Sequence, residues 1–308
     1  MHRWMADLPD ELKQKPINRL LIPGSHDTGA HQLHVDYPLA RDQKFSPLLR
    51  AVSKIPAVKL IIKRWSETQS LSITEQLNLG IRYLDIRLEL ATNNVDDKSP
   101  YLVHALYGAE SPTFMQEIKQ FMDDNPEEVV IIDVNHIYQM SETEFLQYFV
   151  LPIEQLFGRD SFCPVMVDIV NATISELVET NHRLIVVGPF CHNLHGIVYS
   201  METVRSKWPN KNKIYELIKS MREEVTKFDE TRFNVLQGVM TARFSDIATH
   251  LFSSLKKDLS LPGRKTTTDF VNSTTHQERQ NMNIVITDQV NMDFVAAVIN
   301  SNFKTEFE

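Results

Sequence analysis

The sequence has few cysteines and no long apolar run. Cys163 and Cys191 are the only cysteines among 308 residues, which excludes a fold built on a disulfide framework. The longest stretch without acidic, lysine or arginine residues, residues 184–201, is interrupted by glycine, proline, asparagine and histidine. It therefore predicts a strand and a loop rather than a membrane-spanning helix.

A surplus of positive charge is also missing. There are 32 lysine and arginine residues against 40 acidic ones, a formal net charge of −8. Because nucleic-acid binders need surplus cations to neutralise phosphates, we expect no nucleic-acid partner. The first 16 residues are charged and have no apolar segment, which predicts no secretory signal and a cytoplasmic location. Nothing in the composition indicates an oligomeric state.

The chain has no fixed-period repeat and no break in composition, so we predict one domain over residues 1–308. Short apolar runs alternate with segments of helical spacing at residues 111–125, 141–157, 215–226 and 293–300. This alternation is typical of a parallel sheet covered by helices on both faces. Seven runs are clear and one is weak; they cover residues 20–23, 81–90, 101–106, 129–137, 184–190, 196–200 (the weak one), 235–240 and 283–290.

Eight such strands in about 300 residues predict a single α/β domain folded as a closed (β/α)8 barrel, the TIM-barrel architecture. A doubly wound open sheet is the alternative. No Gly-x-Gly-x-x-Gly sequence and no Walker loop occurs, and these phosphate-binding loops are frequent in open sheets. The barrel is therefore the preferred prediction.

Polar residues stand where the predicted strands end. Since catalytic groups of parallel barrels lie at the carboxyl ends of the strands, these residues are the candidates for a site. In a closed barrel the last strand lies beside the first, so Asp288 and His26 are expected to be neighbours. Burying so many charges costs several kcal/mol each unless they are paired. The candidates are His26, Asp27, Asp85, Arg87, His104, Asp133, Asn135, His136 and Asp288.

This set suits phosphodiester chemistry. Two imidazoles can act as general base and general acid near neutral pH. A guanidinium binds a phosphate and stabilises the charge that builds on it. We expect Arg87 to lie between His26 and His104. A two-metal phosphodiesterase would need more carboxylates and no guanidinium among them, so we predict a site without metal.

Several segments together resemble the phosphatidylinositol-specific phospholipase C X-domain-containing proteins and, in domain plan, the bacterial calcium-independent enzymes. The resemblance extends over about residues 4–303. It implies a distorted TIM barrel that cleaves phosphatidylinositol-type lipids to diacylglycerol and an inositol cyclic phosphate. The matching segments are WMADLP (Trp4–Pro9), IPGSHDTG (Ile22–Gly29), GIRYLDIRLEL (Gly80–Leu90), YLVHALYGA (Tyr101–Ala109), EEVVIIDVNHIY (Glu127–Tyr138) and NIVITDQV (Asn283–Val290).

The resemblance also implies roles for single residues. His26 resembles the general base and Asp288 its supporting carboxylate. His104 resembles the general acid with Asp27 as its partner, and Arg87 resembles the phosphate ligand. Ala105 stands where the family usually has glycine.

Calcium independence follows from the same comparison. The calcium-dependent relatives carry two carboxylates on the second strand, whereas this chain has Asp85 and Arg87, and it has Asp27 in place of their calcium-binding asparagine. We therefore expect no cofactor. For substrate binding we predict Arg87 and Asp85, and, from strand ends and nearby loops, Asn135, Arg243 and Trp208.

Residues 41–65 differ from the acidic remainder of the chain. They hold seven basic residues, only Asp42 as an acid, and interleaved apolar residues that end with Trp65. Basic and aromatic residues in one segment suit anionic lipid headgroups, so we predict a peripheral membrane contact here. The alternative is a solvated helix packed on the barrel rim.

Two other functions fit part of the pattern. A non-catalytic phosphoinositide-binding scaffold could use the same barrel, although a pure binder has no need of two histidines at the rim. A metal-dependent glycerophosphodiesterase is the second alternative, and Arg87 argues against it.

Overall fold

The computed structural model describes residues 1–91 and 98–304. The predicted domain of residues 1–308 therefore includes two short stretches, 92–97 and 305–308, that lie outside the described residues. Within the described part, ten strands form one sheet. They are β1 (Ile22–Ser25), β2 (Tyr83–Leu90), β3 (Pro100–His104), β4 (Leu106–Glu110), β5 (Val130–Tyr138), β6 (Leu184–Val187), β7 (Val198–Tyr199), β8 (Val204–Ser206), β9 (Phe233–Gln237) and β10 (Ile284–Thr287).

Eight of these strands run parallel in the order β7-β6-β5-β2-β1-β10-β9-β8. The last strand pairs with the first, with Ile22 opposite Ile284 and Ser25 opposite Thr287. This pairing confirms the predicted barrel class. The barrel is not closed as predicted, because among the described residues no pairing joins β7 to β8. These two edge strands have only two and three residues, too few to complete a ladder.

The predicted strand at residues 101–106 is wrong as a barrel strand. The chain instead forms the β3–β4 hairpin, and β3 pairs antiparallel with β2, with Leu88 opposite Leu102. An apolar run carries no information on strand direction. The eighth parallel strand is β8, a short polar segment that hydrophobicity could not indicate.

Helices cover the sheet, and the four predicted ones are confirmed within a few residues. The helices are α1 (Asp10–Lys13), α2 (Pro47–Val52), α3 (Pro56–Arg64), α4 (Ile73–Leu79), α5 (Ser111–Asp124), α6 (Glu142–Phe145), α7 (Leu151–Phe157), α8 (Ile174–Glu179), α9 (Ile214–Val225), α10 (Phe244–Thr249), α11 (Leu261–Ser273), α12 (His276–Gln280) and α13 (Met292–Asn300). Two π-helical turns, Leu146–Val150 and Lys256–Ser260, join α6 to α7 and precede α11. Among the described residues, no helix is long and apolar enough to cross a bilayer.

The core lies between the sheet and these helices. Periodic apolar faces explain the packing; α5, for example, buries Phe114, Ile118, Phe121 and Met122. Trp65 is also in the core, only 6 % exposed. Its predicted place at a lipid interface is therefore wrong, because the residue follows the end of α3, where the chain turns inward.

One buried ion pair connects the amino-terminal segment to the barrel. The guanidinium of Arg82 donates to Glu128 from Nε at 2.7 Å and to the carbonyls of Leu77 and Ile81 at 2.8 Å. Glu128 also accepts from the amide of Ala6 at 2.9 Å. Both charged side chains are fully buried, so each charge is stabilised by the other in place of water.

Removing Glu128 should therefore destabilise the fold strongly. We expect Glu128→Ala to lower the free energy of unfolding by roughly 3–5 kcal/mol, since it leaves a buried guanidinium unpaired. The control is Asp123→Ala, which removes the exposed ion pair with Lys119 and should cost less than about 1 kcal/mol. Urea unfolding of both variants measures the difference, and equal costs would contradict this account.

Candidate active site

Polar side chains converge at one rim of the barrel. His26 and Asp27 directly follow β1, and Asp288 directly follows β10. Asp85 and Arg87 are two positions apart on β2 and so lie on the same face of the strand. Since the parallel strands end at the same side of the sheet, the structure brings together residues from distant parts of the chain.

His26 is held by the carboxylate of Asp288. Its Nδ1 is 2.8 Å from Oδ1 of Asp288, and the second oxygen of Asp288 accepts from the hydroxyl of Ser260 at 2.8 Å. Ser260 ends the π-helical turn before α11, a geometry common at functional sites. Because Asp288 accepts the Nδ1 proton, Nε2 of His26 faces the centre of the cluster.

Asp27 occupies that centre. Its Oδ2 is 3.4 Å from Nε2 of His26 and 3.4 Å from Nε2 of His104, and its Oδ1 is 2.8 Å from Nε of Arg87. Neither oxygen makes a well-aligned hydrogen bond, so these contacts are ion pairs. The expectation that Arg87 lies between the imidazoles is therefore wrong, because the carboxylate of Asp27 bridges the pair. Among the contacts found in the described part of the chain, Arg87 reaches His26, with Nη2 at 3.4 Å from Nε2.

The charges of the cluster depend on one another. Burial works against the imidazolium of His26, but the charge of Asp27, the hydrogen bond to Asp288 and the charges of Asp288 and Asp85 raise its pKa to about 9. Burial likewise opposes ionisation of Asp27, yet Arg87 and the nearby histidines lower its pKa to about 2. Asp27 also raises the pKa of Arg87, although burial lowers it. At neutral pH the cluster holds an anion between cations.

The position of His104 depends on a segment that sequence reasoning missed. Its Nδ1 is 2.7 Å from the carbonyl oxygen of Ser66. A carbonyl can only accept, so Nδ1 carries a proton and Nε2 points toward Asp27. In the same segment the side-chain amide of Gln69 donates from Nε2 to the carbonyl of His26 at 2.8 Å. A backbone carbonyl leaves no signal in the sequence by which it could have been found.

Each of three functional residues is followed by a residue with left-handed backbone. Asp27 has φ 41°, Ala105 has φ 61° and Gln289 has φ 51°; they follow His26, His104 and Asp288. For residues other than glycine this conformation costs about 1–3 kcal/mol. The backbone therefore turns directly after each of these three side chains.

Asp85 and Asn135 support the cluster from β2 and β5. Asp85 accepts from the amide of Asp27 at 3.2 Å and from the side chain of Asn135 at 3.3 Å. Asn135 is the extra residue of a β-bulge, because the pairing passes from Ile86–Val134 to Arg87–His136. The bulge changes which β5 side chain stands opposite Arg87.

Two other candidates lie beside the cluster. Asp133 is buried and accepts the hydroxyl of Tyr83; burial and the charge of Asp85 raise its pKa to about 7. The residue His136 is exposed overall. The part of its ring that is buried, together with the charge of Arg87, lowers its pKa.

Trp208 and Arg243 lie apart from the cluster. They follow β8 and β9 at the same end of the barrel, and both are exposed, Trp208 by 53 %. None of the hydrogen bonds or ion pairs found among the described residues joins either side chain to the cluster. Their part in substrate binding stays a prediction.

Three ligand atoms of the cluster are close enough for a metal ion. One atom each from His26, Asp27 and Asp85 lie within 4.8 Å of one another. The carboxylates are already engaged, since Arg87 pairs with Asp27 and two amide donors hold Asp85. Calcium takes six to eight oxygen ligands, and this set offers few free ones beside a guanidinium. The donor set suits an arginine better than a dication.

Comparison with known proteins gives consistent matches. The family model described as PI-PLC X matches residues 59–297. PI-PLC X domain-containing protein 2 from Homo sapiens is 31 % identical over 259 residues, 83 % of each chain. The variant-surface-glycoprotein phospholipase C of Trypanosoma cruzi is 27 % identical over 279 residues, 82 % of this chain and 70 % of that protein.

Solved structures agree on the architecture. The phosphatidylinositol-specific phospholipase C of Listeria monocytogenes superposes with a TM-score of 0.67 at 18 % identity, covering 97 % of this chain and 98 % of that one. A variant of the Staphylococcus aureus enzyme gives the same TM-score at 16 % identity, with 98 % and 97 % covered. At such identities the likeness shows the fold alone.

The charge coupling of His26 can be measured directly. We expect its imidazole to titrate near pH 9, the ring losing its proton as the pH rises through that value. Asp288→Asn should move the midpoint down by about 1 unit or more, because the ring loses a hydrogen-bonded anion. Asp133→Asn is the control and should leave it unchanged. NMR titration of the ring gives both values, and a native midpoint near 6.5 would contradict the coupling.

Proposed function

The chain belongs to the PI-PLC X family, and on that premise we propose that it is a phospholipase C that cleaves phosphatidylinositol-type lipids. One observation carries the proposal: His26 and His104 contact the same carboxylate, and Arg87 pairs with it. A base, an acid and a phosphate ligand thus lie within a few ångströms of one another. The resemblance to enzymes of known chemistry supports the same conclusion.

In the proposed reaction the nucleophile is the 2-hydroxyl of the inositol ring. The base is the neutral form of His26, which is the minor form at neutral pH because the neighbouring carboxylates raise the pKa of the ring to about 9. Its Nε2 removes the hydroxyl proton as the oxygen attacks phosphorus. The bond from phosphorus to the glycerol oxygen breaks, and His104 donates a proton from Nε2 to that oxygen. The products are diacylglycerol and inositol 1,2-cyclic phosphate. An internal nucleophile held in line contributes roughly 7–11 kcal/mol of the barrier by proximity.

Asp288 and Arg87 complete the mechanism. Asp288 stabilises the imidazolium that His26 becomes, through the 2.8 Å contact with Nδ1. Arg87 binds the phosphate and stabilises the charge that develops on its oxygens. We propose that this guanidinium supplies the positive charge of the reaction and that no metal ion is required.

The test is turnover of phosphatidylinositol by purified protein in EDTA. We expect diacylglycerol and cyclic inositol phosphate, and a loss of roughly 10²–10⁴-fold in kcat for His26→Ala and for Arg87→Ala. His182→Ala is the matched control, because His182 precedes β6 and so lies at the opposite end of the barrel.

Other outcomes would point to the alternative functions. Activity that appears only with added magnesium or calcium would support a metal-dependent phosphodiesterase. Binding to phosphoinositide vesicles without turnover, and unaffected by His26→Ala, would support a non-catalytic scaffold.

We further propose that α2 and α3 bring the site to a membrane surface. Leu48, Ile55 and Leu60 are 73 %, 53 % and 48 % exposed, and the basic residues of segment 41–65 are interleaved with them along the chain. Exposed apolar side chains among cations suit an anionic bilayer. The helical segment is broken after Val52, and Pro56 is the first residue of α3.

This contact predicts a lipid-dependent affinity. The double variant Leu48→Ser, Ile55→Ser should bind vesicles containing phosphatidylserine about tenfold more weakly, because it loses buried apolar area. Binding should also weaken as salt rises. Met166→Ser, which removes an exposed apolar side chain elsewhere, is the control in the same sedimentation assay. Equal binding by all three proteins would exclude this surface.

A further inference from the structure

The turn after His104 is held from outside the barrel. Ala105 is the single residue between β3 and β4, and its φ is 61°. Its amide donates to both oxygens of the Asp42 carboxylate, at 3.1 and 2.9 Å. Its carbonyl accepts from the amide of Ala40 at 2.9 Å. Both backbone polar groups of Ala105 are therefore bound by segment 40–42.

Segment 40–42 is itself fixed in place. The guanidinium of Arg50 donates to the carbonyls of Leu39, Ala40 and Gln43, each at 3.3 Å. Arg41, which lies between Ala40 and Asp42, donates its backbone amide to the buried carboxylate of Glu89 at 2.7 Å. Asp42 thus approaches the hairpin from a rigid support, although it is the single acid in a strongly basic stretch.

The turn determines where the imidazole of His104 lies. The ring needs both its contact with the Ser66 carbonyl and its approach to Asp27, and both depend on the backbone at residues 104 and 105. Alanine prefers other backbone conformations to the left-handed one. The hydrogen bonds of Asp42 and Ala40 to the two backbone polar groups of Ala105 stabilise this conformation.

From these contacts we propose that Asp42 is a positioning residue for the general acid: its carboxylate holds Ala105 in the left-handed turn that directs Nε2 of His104 at the leaving group. This inference rests on the proposed function. The charge of Asp42 also acts on Arg87, but its hydrogen bonds go to the turn after His104, so the proposed effect is on protonation of the departing oxygen.

Two substrates separate this role from a general loss of structure. The diacylglycerol oxygen of phosphatidylinositol needs a proton to leave, whereas the nitrophenolate of 4-nitrophenyl inositol 1-phosphate does not. We expect Asp42→Ala to lower kcat on phosphatidylinositol by about 10- to 100-fold and on the nitrophenyl ester by less than about threefold. Equal losses on both substrates would overturn the proposal.

Rescue and controls make the test specific. Glycine adopts positive φ without cost, so adding Ala105→Gly to Asp42→Ala should restore most of the lost activity. Asp36→Ala removes an exposed carboxylate from the same region and should change neither rate. Thermal unfolding of each variant shows that it is folded. Failure of the rescue in a folded double variant would also overturn the proposal.

A readout without turnover covers the case in which the native protein cleaves neither substrate, which would refute the proposed function alone. In the native protein the proton on Nδ1 of His104, bonded to Ser66, should give a protected imidazole N–H signal in NMR spectra. The signal should disappear in Asp42→Ala and return when Ala105→Gly is added. A signal that persists in Asp42→Ala would show that Asp42 does not position the ring.

Discussion

The arrangement of the site depends on one buried carboxylate, that of Asp27. Two imidazoles and a guanidinium approach it within 3.4 Å. The imidazolium of His26 and the guanidinium of Arg87 would repel each other in a space of low polarity, and a buried anion alone would be equally unfavourable. Their mutual contact explains the opposite pKa shifts of Asp27 and His26, which are two expressions of the same attraction. The charged cluster is therefore stable when all its members are present, and removing one of them destabilises the others.

The cluster lies at the central strands of the sheet. Most residues of the cluster come from or follow β5, β2, β1 and β10, the four central strands of the path, and His104 ends β3, which pairs with β2. Among the described residues the open seam lies between the short strands β7 and β8 at the ends of the path. Sharp left-handed turns follow His26, His104 and Asp288. The long ladder between β2 and β5 supports them, and the local strain is offset by the surrounding hydrogen bonds. A rigid frame with strained turns at its rim is suited to holding side chains in one geometry.

Two functions proposed for the chain meet in one segment. Residues 39–43 contact the turn after His104 and lead directly into α2 and α3, whose exposed apolar side chains we assign to the membrane surface. Arg50 in α2 donates to three carbonyls of residues 39–43. The proposed lipid-facing helices and the proposed general acid therefore share their support.

The class of the fold and the contact between His26 and Asp288 could both be predicted from the sequence. Apolar runs alternating with helical segments require a parallel sheet, and a parallel barrel brings the last strand beside the first, so Asp288 had to lie near His26. Other features of the fold and the site depend on contacts that form only in the folded chain. An apolar run does not indicate the direction of a strand, so the sequence could not predict that β3 runs antiparallel. Hydrophobicity could not indicate β8, because that strand is short and polar. The contact of Asp42 with Ala105, 63 positions apart, and that of His104 with the Ser66 carbonyl involve backbone groups that every residue carries, and only the folded chain selects which of them meet.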